Sequence, residues 1–264
     1  MEFTREIYWN VGHGFTTLAP MYGLLLVALV FLVMGCLKRI KVYRLGQPLD
    51  RTDQRAERIK HALATALLQT KVYRVPGAGT MHSLFFWSFF LLFIGTMLIV
   101  AQADFTDLFF KVKFLKGTFY KFFSLILDLA GLLAVVMLGG LLVRRYLMRP
   151  EGLVTKRDDA IMHGLLFAIL ITGFLIEGAR MAVTELNTPL APWSPVGMVL
   201  AKVLGSLGEE GLRGLHQGLW WFHLLLALGF IAFLPSTKFR HILTTSTNAF
   251  FADEGKVLVL NNNE

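Results

Sequence analysis

Five apolar runs of bilayer-crossing length divide the sequence. They cover residues of about 18–37, 82–103, 119–143, 160–180 and 218–236, and charged or polar segments separate them. An α-helix needs roughly 20 apolar residues to cross the hydrocarbon core of a bilayer, which is about 30 Å thick. A helix also pairs its own backbone N–H and C=O groups, which is necessary because the bilayer core contains no water to hydrogen-bond with them. The pattern therefore predicts an all-α integral membrane protein with a five-span helical bundle.

Two connecting segments have patterns of their own. In residues 47–75 the apolar positions recur at helical spacing, namely Ile59, Ala62, Leu63, Ala66 and Leu67. This predicts an amphipathic cytoplasmic helix that lies on lipid headgroups or docks a partner. Residues 187–215 are rich in Pro and Gly around the stretch MVLAKVL, which predicts a loop with one interfacial helix. Residues 1–250 are thus expected to form one membrane domain, with a short cytoplasmic tail at 251–264.

The positive charge is unevenly distributed, and this predicts the orientation. The chain of 264 residues has a formal net charge of +8. Segments 38–80, 144–160 and 237–264 hold ten, five and three Lys or Arg residues, respectively. Because basic residues concentrate on the cytoplasmic side, these segments are predicted to be cytoplasmic and the N-terminus external. The expected location is the cytoplasmic (inner) membrane of a cell. Nucleic-acid binding is the other interpretation of a pI of about 9.7, but it does not explain the asymmetry.

Two histidines near the last apolar run indicate a cofactor. His223 and His241 are 18 residues apart. On one continuous helix this separation makes about five turns and roughly 27 Å, so both rings would project from one face. Imidazole is a good axial ligand for haem iron, and one ring near each membrane face suits two stacked haems. A proton relay, a packed polar group and an interfacial residue are the other interpretations of each histidine.

The cysteine count limits the redox chemistry that this chain carries alone. Cys36 is the one cysteine. The sequence therefore has no internal disulfide, no CxxCH motif for covalent haem and no cysteine set for an iron–sulfur cluster. Any haem is expected to be held non-covalently, and any cluster to sit on another chain.

Several motifs resemble a known family. The spacing H-x17-H that ends in FLPSTKFRHI resembles the last span of the cytochrome b (gamma) subunit of respiratory nitrate reductases. The motifs DDAIMHGLLFAILITGFLIEGARM, PWSPVG and LWWFHLLLALGFIAFLP are more similar to one branch of that family. This branch is associated with heterodisulfide-reductase-type iron–sulfur proteins and exchanges electrons with menaquinone. The resemblance covers nearly the whole chain and is most specific over residues 216–250.

The resemblance also implies a ligand set. In the nitrate reductase relatives, the second span carries two histidines ten residues apart, and they pair with the inner and outer histidines of the last span. His82 matches the first of them, and its implied partner is His241 at the cytoplasmic side. His223 matches the outer ligand, but Leu92 stands where its partner would be.

The partner of His223 therefore stays open. His216 shares a helix with His223 and cannot reach across a porphyrin to it, and His163 is expected at the opposite face. His13 is the remaining histidine on the external side, so His13 and His223 are predicted to hold an outer haem. A single-histidine haem with a different sixth ligand, or no outer haem, are the alternatives.

A menaquinone site needs an ionisable group beside a haem, because quinol oxidation releases two protons with its two electrons. Asp128, Glu177 and Arg180 are expected at comparable depth near the outer ends of the third and fourth spans. We predict that they form this site, although each has a structural alternative as a helix contact or a surface ion pair. The cytoplasmic alternative is His163 together with Asp158 or Asp159.

These observations lead to one expected function with alternatives. The chain is expected to carry electrons between menaquinone and a cytoplasmic iron–sulfur partner that docks on the basic segments 38–75 and 144–157. The catalytic partner domain would lie on another chain. A true nitrate reductase gamma subunit or the cytochrome b of a sulfur-cycle complex is the alternative within the class. Outside the class, the intramembrane His, Asp and Glu residues would form the proton path of a transporter.

Overall fold

The computed structural model describes Thr4, residues 6–46 and residues 53–252. Within these residues the chain forms nine α-helices and no β-strand, with one isolated bridge between Thr4 and Lys116. The all-α prediction is therefore confirmed. Residues 47–52 of the predicted amphipathic segment, and residues 253–264 of the predicted tail, lie outside the described residues. The orientation of the chain across the membrane stays a prediction.

In the described part of the chain, five apolar helical segments are long enough to cross a bilayer. In chain order they are α1 (Phe15–Tyr43); α3 (Ala78–Val100), which continues through a π-helical turn (Ala101–Thr106) into α4 (Asp107–Phe110); α5 (Gly117–Leu142), with a π-helical end (Val143–Met148); α6 (Arg157–Thr184); and α8 (Gly208–Phe233), preceded by α7 (Pro195–Leu204). The predicted five-helix pattern is confirmed, and so is a helix, α7, within residues 187–215; its place at the membrane interface stays a prediction.

Two shorter helices lie together at one end of the bundle. They are α2 (Arg55–Ala66) and α9 (His241–Phe250), and they pack against each other. The Arg58 guanidinium donates to the carbonyl oxygens of Phe250 and Ala252, at 3.2 and 3.0 Å. The helix predicted within residues 47–75 is thus confirmed over α2. We call this end, predicted to be cytoplasmic, the inner end, and the opposite end, with α4 and α7, the outer end.

The apolar core joins the third, fourth and fifth spans. Its buried members are Ala134, Leu138, Met162, Leu166, Leu170, Phe230 and Leu234. Phe89 of α3 packs its ring edge-on against Phe230 of α8, with 6.0 Å between centroids. Gly95 lets α3 approach α5 closely, because a Cβ there would lie 2.5 Å from a methyl group of Leu127, whose side chain would have to move.

The fifth span differs from the prediction at one point. Helices α8 and α9 are separated by two 3₁₀ turns, at Leu234–Ser236 and Lys238–Arg240. Pro235 has no backbone N–H to donate, so the α-helix ends before it. His223 in α8 and His241 at the start of α9 therefore do not lie on one helix. The expected five-turn spacing between them is wrong.

Candidate functional site

The structure brings two of the predicted histidines together at the inner end. The rings of His82, near the start of α3, and His241 lie 6.2 Å apart between centroids, with 46° between their planes. Two imidazoles that coordinate one metal ion from opposite sides, at about 2 Å each, have ring centres roughly 6 Å apart. The spacing of this pair therefore fits a haem iron held between the two rings.

The ring nitrogens of the inner pair also fit ligation. The Nδ1 of His241 lies 3.0 Å from the carbonyl oxygen of Lys238 and donates to it in the Nδ1–H tautomer, which leaves Nε2 free to bind a metal. The Nδ1 of His82 is buried and has no hydrogen-bond partner among the described residues. A buried imidazole without a hydrogen bond is unusual in a purely structural histidine.

Asp159 fixes the turn that precedes His241. Its carboxylate is buried, and Oδ2 accepts from the Arg145 guanidinium at 2.8 Å and from the Lys238 ammonium at 2.7 Å. The same oxygen accepts from the backbone N–H of Lys156, 2.9 Å away, at the start of α6. Asp159, predicted as part of the alternative quinone site, thus ties α6 to the segment that carries the inner histidine.

His163 lies beside the inner pair without touching it directly. Its Nδ1 is 2.9 Å from the hydroxyl of Tyr146, and its ring contacts Phe239 at 5.8 Å. Phe239 in turn contacts His241 at 6.1 Å. Sequence reasoning missed Tyr146, because it faces His163 across the turn between α5 and α6 and no local spacing indicates the contact.

At the outer end, His223 is held in the orientation of a ligand. Its Nδ1 lies 2.8 Å from the hydroxyl of Thr172. That hydroxyl donates to the Ala168 carbonyl at 2.7 Å, so it accepts from His223 and leaves Nε2 free. Leu92, where the resemblance implies a partner, packs against the apolar core. Among the described residues, no second histidine ring contacts His223.

The other outer histidines lie near the N-terminal segment. His13 is exposed and contacts the ring of Tyr8 edge-on at 5.2 Å. Tyr8 in turn contacts Trp220, which is one helical turn from His223 on α8. His216 is buried against Trp9, with 4.7 Å between ring centroids. The pairing of His13 with His223 stays a prediction.

The three residues predicted for the quinone site have structural contacts. Asp128 is buried, and its two carboxylate oxygens accept from the backbone N–H groups of Val196 and Gly197, each at 2.9 Å. These N–H groups open α7, so Asp128 caps that helix and faces the positive end of its dipole. Glu177 packs on the same turn, since a Cβ at Gly197 would lie 3.1 Å from its carboxyl carbon.

Arg180 belongs to a neighbouring network. It is buried and forms an ion pair with Glu185, which also accepts from the hydroxyl of Tyr120 at 3.4 Å. The structure thus groups Asp128 with Glu177 around the start of α7, and gives Arg180 its ion pair with the residue that follows α6. Their assignment to a quinone site stays a prediction.

A comparison with known proteins extends this description. No protein-family model matches the chain, and no solved structure matches it.

Within the described residues, no group of three or more His, Cys, Asp or Glu side chains is arranged to hold a metal ion.

Two curated relatives align with most of the chain. It is 34% identical over 242 residues to "EtfAB:quinone oxidoreductase" of Syntrophomonas wolfei subsp. wolfei (strain DSM 2245B / Goettingen), a match that covers 88% of this chain and 33% of that protein. It is 25% identical over 217 residues to "Probable iron-sulfur-binding oxidoreductase FadF" of Bacillus subtilis (strain 168), covering 81% of this chain and 29% of that protein. The chain therefore spans about a third of the length of these relatives. The similarity supports a redox-related role.

Proposed function

We propose that this chain is the haem b-containing membrane subunit of a quinone-linked respiratory oxidoreductase. In this proposal it moves electrons between menaquinone and an iron–sulfur partner at the inner end. The observation that carries the proposal is the imidazole pair of His82 and His241, 6.2 Å apart at one end of an apolar helical bundle. A bound haem would supply one-electron chemistry. The names of the two relatives, a quinone oxidoreductase and an iron–sulfur-binding oxidoreductase, support the same class.

The protein's own residues would hold and orient the cofactors. His82 and His241 are the proposed ligands of the inner haem, and the Lys238 carbonyl orients the His241 ring. His223, oriented by Thr172, is the proposed ligand of an outer haem, with His13 as its predicted partner. Burial and hydrogen bonding around each ligand would tune the reduction potential, and His241 is exposed whereas His82 is half-buried.

The iron–sulfur partner is proposed to dock on the surface made by α2 and α9. A shallow apolar groove runs between these helices and is lined by Ile59, Ala62, Leu63, Ser246, Thr247, Phe250 and Phe251. Because α9 begins at His241, a partner seated there would lie next to the inner pair. The surrounding segment 38–80 is basic, which favours a partner with an acidic face. Identifying the subunits that co-purify from native membranes would distinguish this partner from that of a nitrate reductase or a sulfur-cycle complex.

Menaquinone is proposed to react at the outer end, because an outer haem would have no role if quinone exchanged electrons only with the inner pair. Glu177, Arg180 and Asp128 remain the residues predicted for that reaction. The cytoplasmic alternative at His163 predicts instead that His163→Ala abolishes quinone turnover with the haem content unchanged.

The haem content of histidine variants tests the proposed function. The full chain is purified in detergent, and its reduced-minus-oxidised absorption spectrum is recorded together with the haem content. His82→Ala and His241→Ala are each expected to remove one haem per chain, whereas the matched control His61→Ala, on α2 outside the bundle, keeps the full content. Full haem content in His241→Ala would overturn the inner ligand pair. A colourless wild-type protein would overturn the function and favour the transporter.

A further inference from the structure

A cluster of two tyrosines and one aspartate at the outer end has no part in the function described so far. The Tyr8 hydroxyl donates to Oδ1 of Asp104 at 3.4 Å. Tyr22 of α1 lies near both residues, close enough to interact electrostatically with the Asp104 carboxylate and the Tyr8 hydroxyl. The three residues come from the N-terminal segment, from α1 and from the π-helical turn of the second span. Asp104 is distant in sequence from both tyrosines, so only the packing of the helices brings the three polar groups together.

This cluster differs from the buried carboxylates because it is partly exposed on the outer surface of the helices. Asp104 is half-buried and Tyr22 is 39% exposed, whereas Asp128 and Asp159 are 2% and 5% exposed. The neighbouring Phe105 is 61% exposed. An ionisable residue at the edge of an apolar span usually has a functional role, and π-helical turns often mark such places. An apolar molecule dissolved in the membrane therefore has access to the carboxylate.

We propose that Tyr8, Tyr22 and Asp104 bind the head group of a lipid-soluble quinone, with Asp104 exchanging its proton. This inference rests on the proposed function and places its quinone site at these three residues instead of at Glu177, Arg180 and Asp128, which the sequence predicts. A quinone oxygen only accepts hydrogen bonds and is matched by a tyrosine hydroxyl. A quinol hydroxyl also donates, and it is matched by the carboxylate of Asp104. The cluster can thus pair with both redox forms.

The proposed exchange conserves electrons and protons in both directions. A quinone takes up two electrons and two protons to become a quinol, with two O–H bonds formed, and the reverse reaction breaks both bonds and releases the same particles. Asp104 carries one proton between the head group and water at the outer surface, and the second proton follows by the same route after Asp104 has re-equilibrated. A haem held by His223, as proposed above, would supply the one-electron chemistry that this exchange needs.

The cluster lies close to that haem ligand. Tyr8 contacts Trp220 with 6.2 Å between ring centroids. Trp220 precedes His223 by three residues of α8, which is a rise of about 4.5 Å along the helix. Burial, and then the charge of Asp104, raises the pKa of Tyr8 to about 12, so this hydroxyl remains a donor at neutral pH. The rings of Tyr8 and Trp220 would therefore lie between a bound head group and the outer histidine.

Photolabelling locates the head group directly. The full chain in lipid nanodiscs is illuminated with an azido-menaquinone analogue, digested and mapped by mass spectrometry. The expected label lies in peptides that contain residues 8–22 or 101–110, and excess unlabelled menaquinone suppresses it. A label confined to residues 177–197, or one that phosphatidylethanolamine suppresses and menaquinone does not, would overturn the proposal.

Binding of a fluorescence-quenching hydroxyquinoline N-oxide, a quinol analogue, gives an independent measurement. Asp104→Asn is expected to weaken binding by about tenfold or more, the effect of losing a hydrogen bond to a charged group. Tyr22→Phe, which keeps the ring, is expected to weaken it about threefold to tenfold. The matched control is Asp107→Asn, one turn along the same segment in an exposed pair with Lys113, and it is expected to leave binding unchanged.

The outcomes separate this inference from the proposed function. If Asp104→Asn and Tyr22→Phe both bind like the wild type while Glu177→Gln loses binding, the site assignment is wrong and the quinone-linked function stands. If the wild-type chain carries haem but binds neither probe, the quinone function itself fails. Haem content and thermal unfolding of each variant show whether the fold is retained, and Tyr22→Phe keeps the test valid if Asp104→Asn does not fold.

Discussion

The inner and outer ends of the bundle use buried carboxylates in the same way but present their histidines differently. At the inner end, Asp159 forms ion pairs with Arg145 and Lys238 and thereby fixes the turn before His241. The ring of His241 faces the imidazole of His82. At the outer end, Asp128 caps α7, while His223 has its Nδ1 bound and no facing histidine ring among the described residues. A carboxylate inside an apolar bundle is therefore stronger evidence for a role in the reaction when helix N-termini and cations do not already occupy its oxygens.

Replacement of Asp159 is expected to destabilise the inner end more than any other change proposed below. Asp159→Ala removes the buried carboxylate that accepts from the partly buried Arg145, from the half-exposed Lys238 and from the N–H of Lys156, and we expect a loss of about 3 kcal/mol in the free energy of unfolding. Thermal unfolding in detergent measures the change. The matched control is Asp158→Ala, whose side chain is exposed on the preceding residue and whose expected effect is within about 0.5 kcal/mol. Equal effects of the two variants would contradict the role given to Asp159.

The outer end is tested at Asp128. Asp128→Ala removes the acceptor of two backbone N–H groups at the start of α7, and we expect about 2 kcal/mol of destabilisation, at the upper end for a helix cap. Asp128→Asn retains one side-chain oxygen and is expected to cost less than half as much. If Asp128→Asn is stable but abolishes quinone turnover, the carboxylate acts in the reaction as well as in the cap.

The orientation of the outer histidine is tested at Thr172. Thr172→Val removes the hydroxyl that accepts from His223, and the loss of such a supporting partner typically lowers metal affinity by about 10-fold to 100-fold. The haem content of the purified variant, measured during dilution, checks this expectation. Thr184→Val is the matched control, because Thr184 lies on the same helix and its hydroxyl donates to the backbone oxygen of Arg180. The idea fails if both variants retain haem equally.

The smallest effect is expected for an exposed ion pair at the outer end. Glu209 accepts from Arg213 at 2.7 Å, one helical turn apart on the surface of α8. Glu209→Ala is expected to change the free energy of unfolding by about 0.5 kcal/mol or less, since water screens such pairs. If Glu209→Ala lowered the free energy of unfolding as much as Asp159→Ala does, burial of the carboxylate would not explain why the two ion pairs differ.

The sequence predicts the helices of this protein better than it predicts their partners. The five spans and the amphipathic face of α2 are local patterns of apolar residues, so length and periodicity suffice to find them. The 18-residue spacing of His223 and His241 suits one continuous helix, but Pro235 between them ends α8. The break between α8 and α9 was therefore missed.

The contacts that orient the site could not be predicted from sequence patterns, because the two residues of each contact are far apart in the sequence. Thr172 and His223 are 51 residues apart, and Asp128 and Val196 are 68 apart. No spacing rule connects such positions, and only the packing of α5, α6, α7 and α8 brings them together. The proximity of His82 and His241 was expected from the resemblance to a family, not from any pattern within one helix.

The inner histidine pair also has a consequence for biogenesis. His82 belongs to the second span and His241 follows the fifth, a separation of 159 residues (241 minus 82). At about 5–20 residues per second, a ribosome needs roughly 8 to 30 s to synthesise that stretch. During this time His82 is already in the membrane without its partner. Insertion of the last span is therefore the step that completes the inner pair, and a chain that stops before residue 241 would reach the membrane with only half of it.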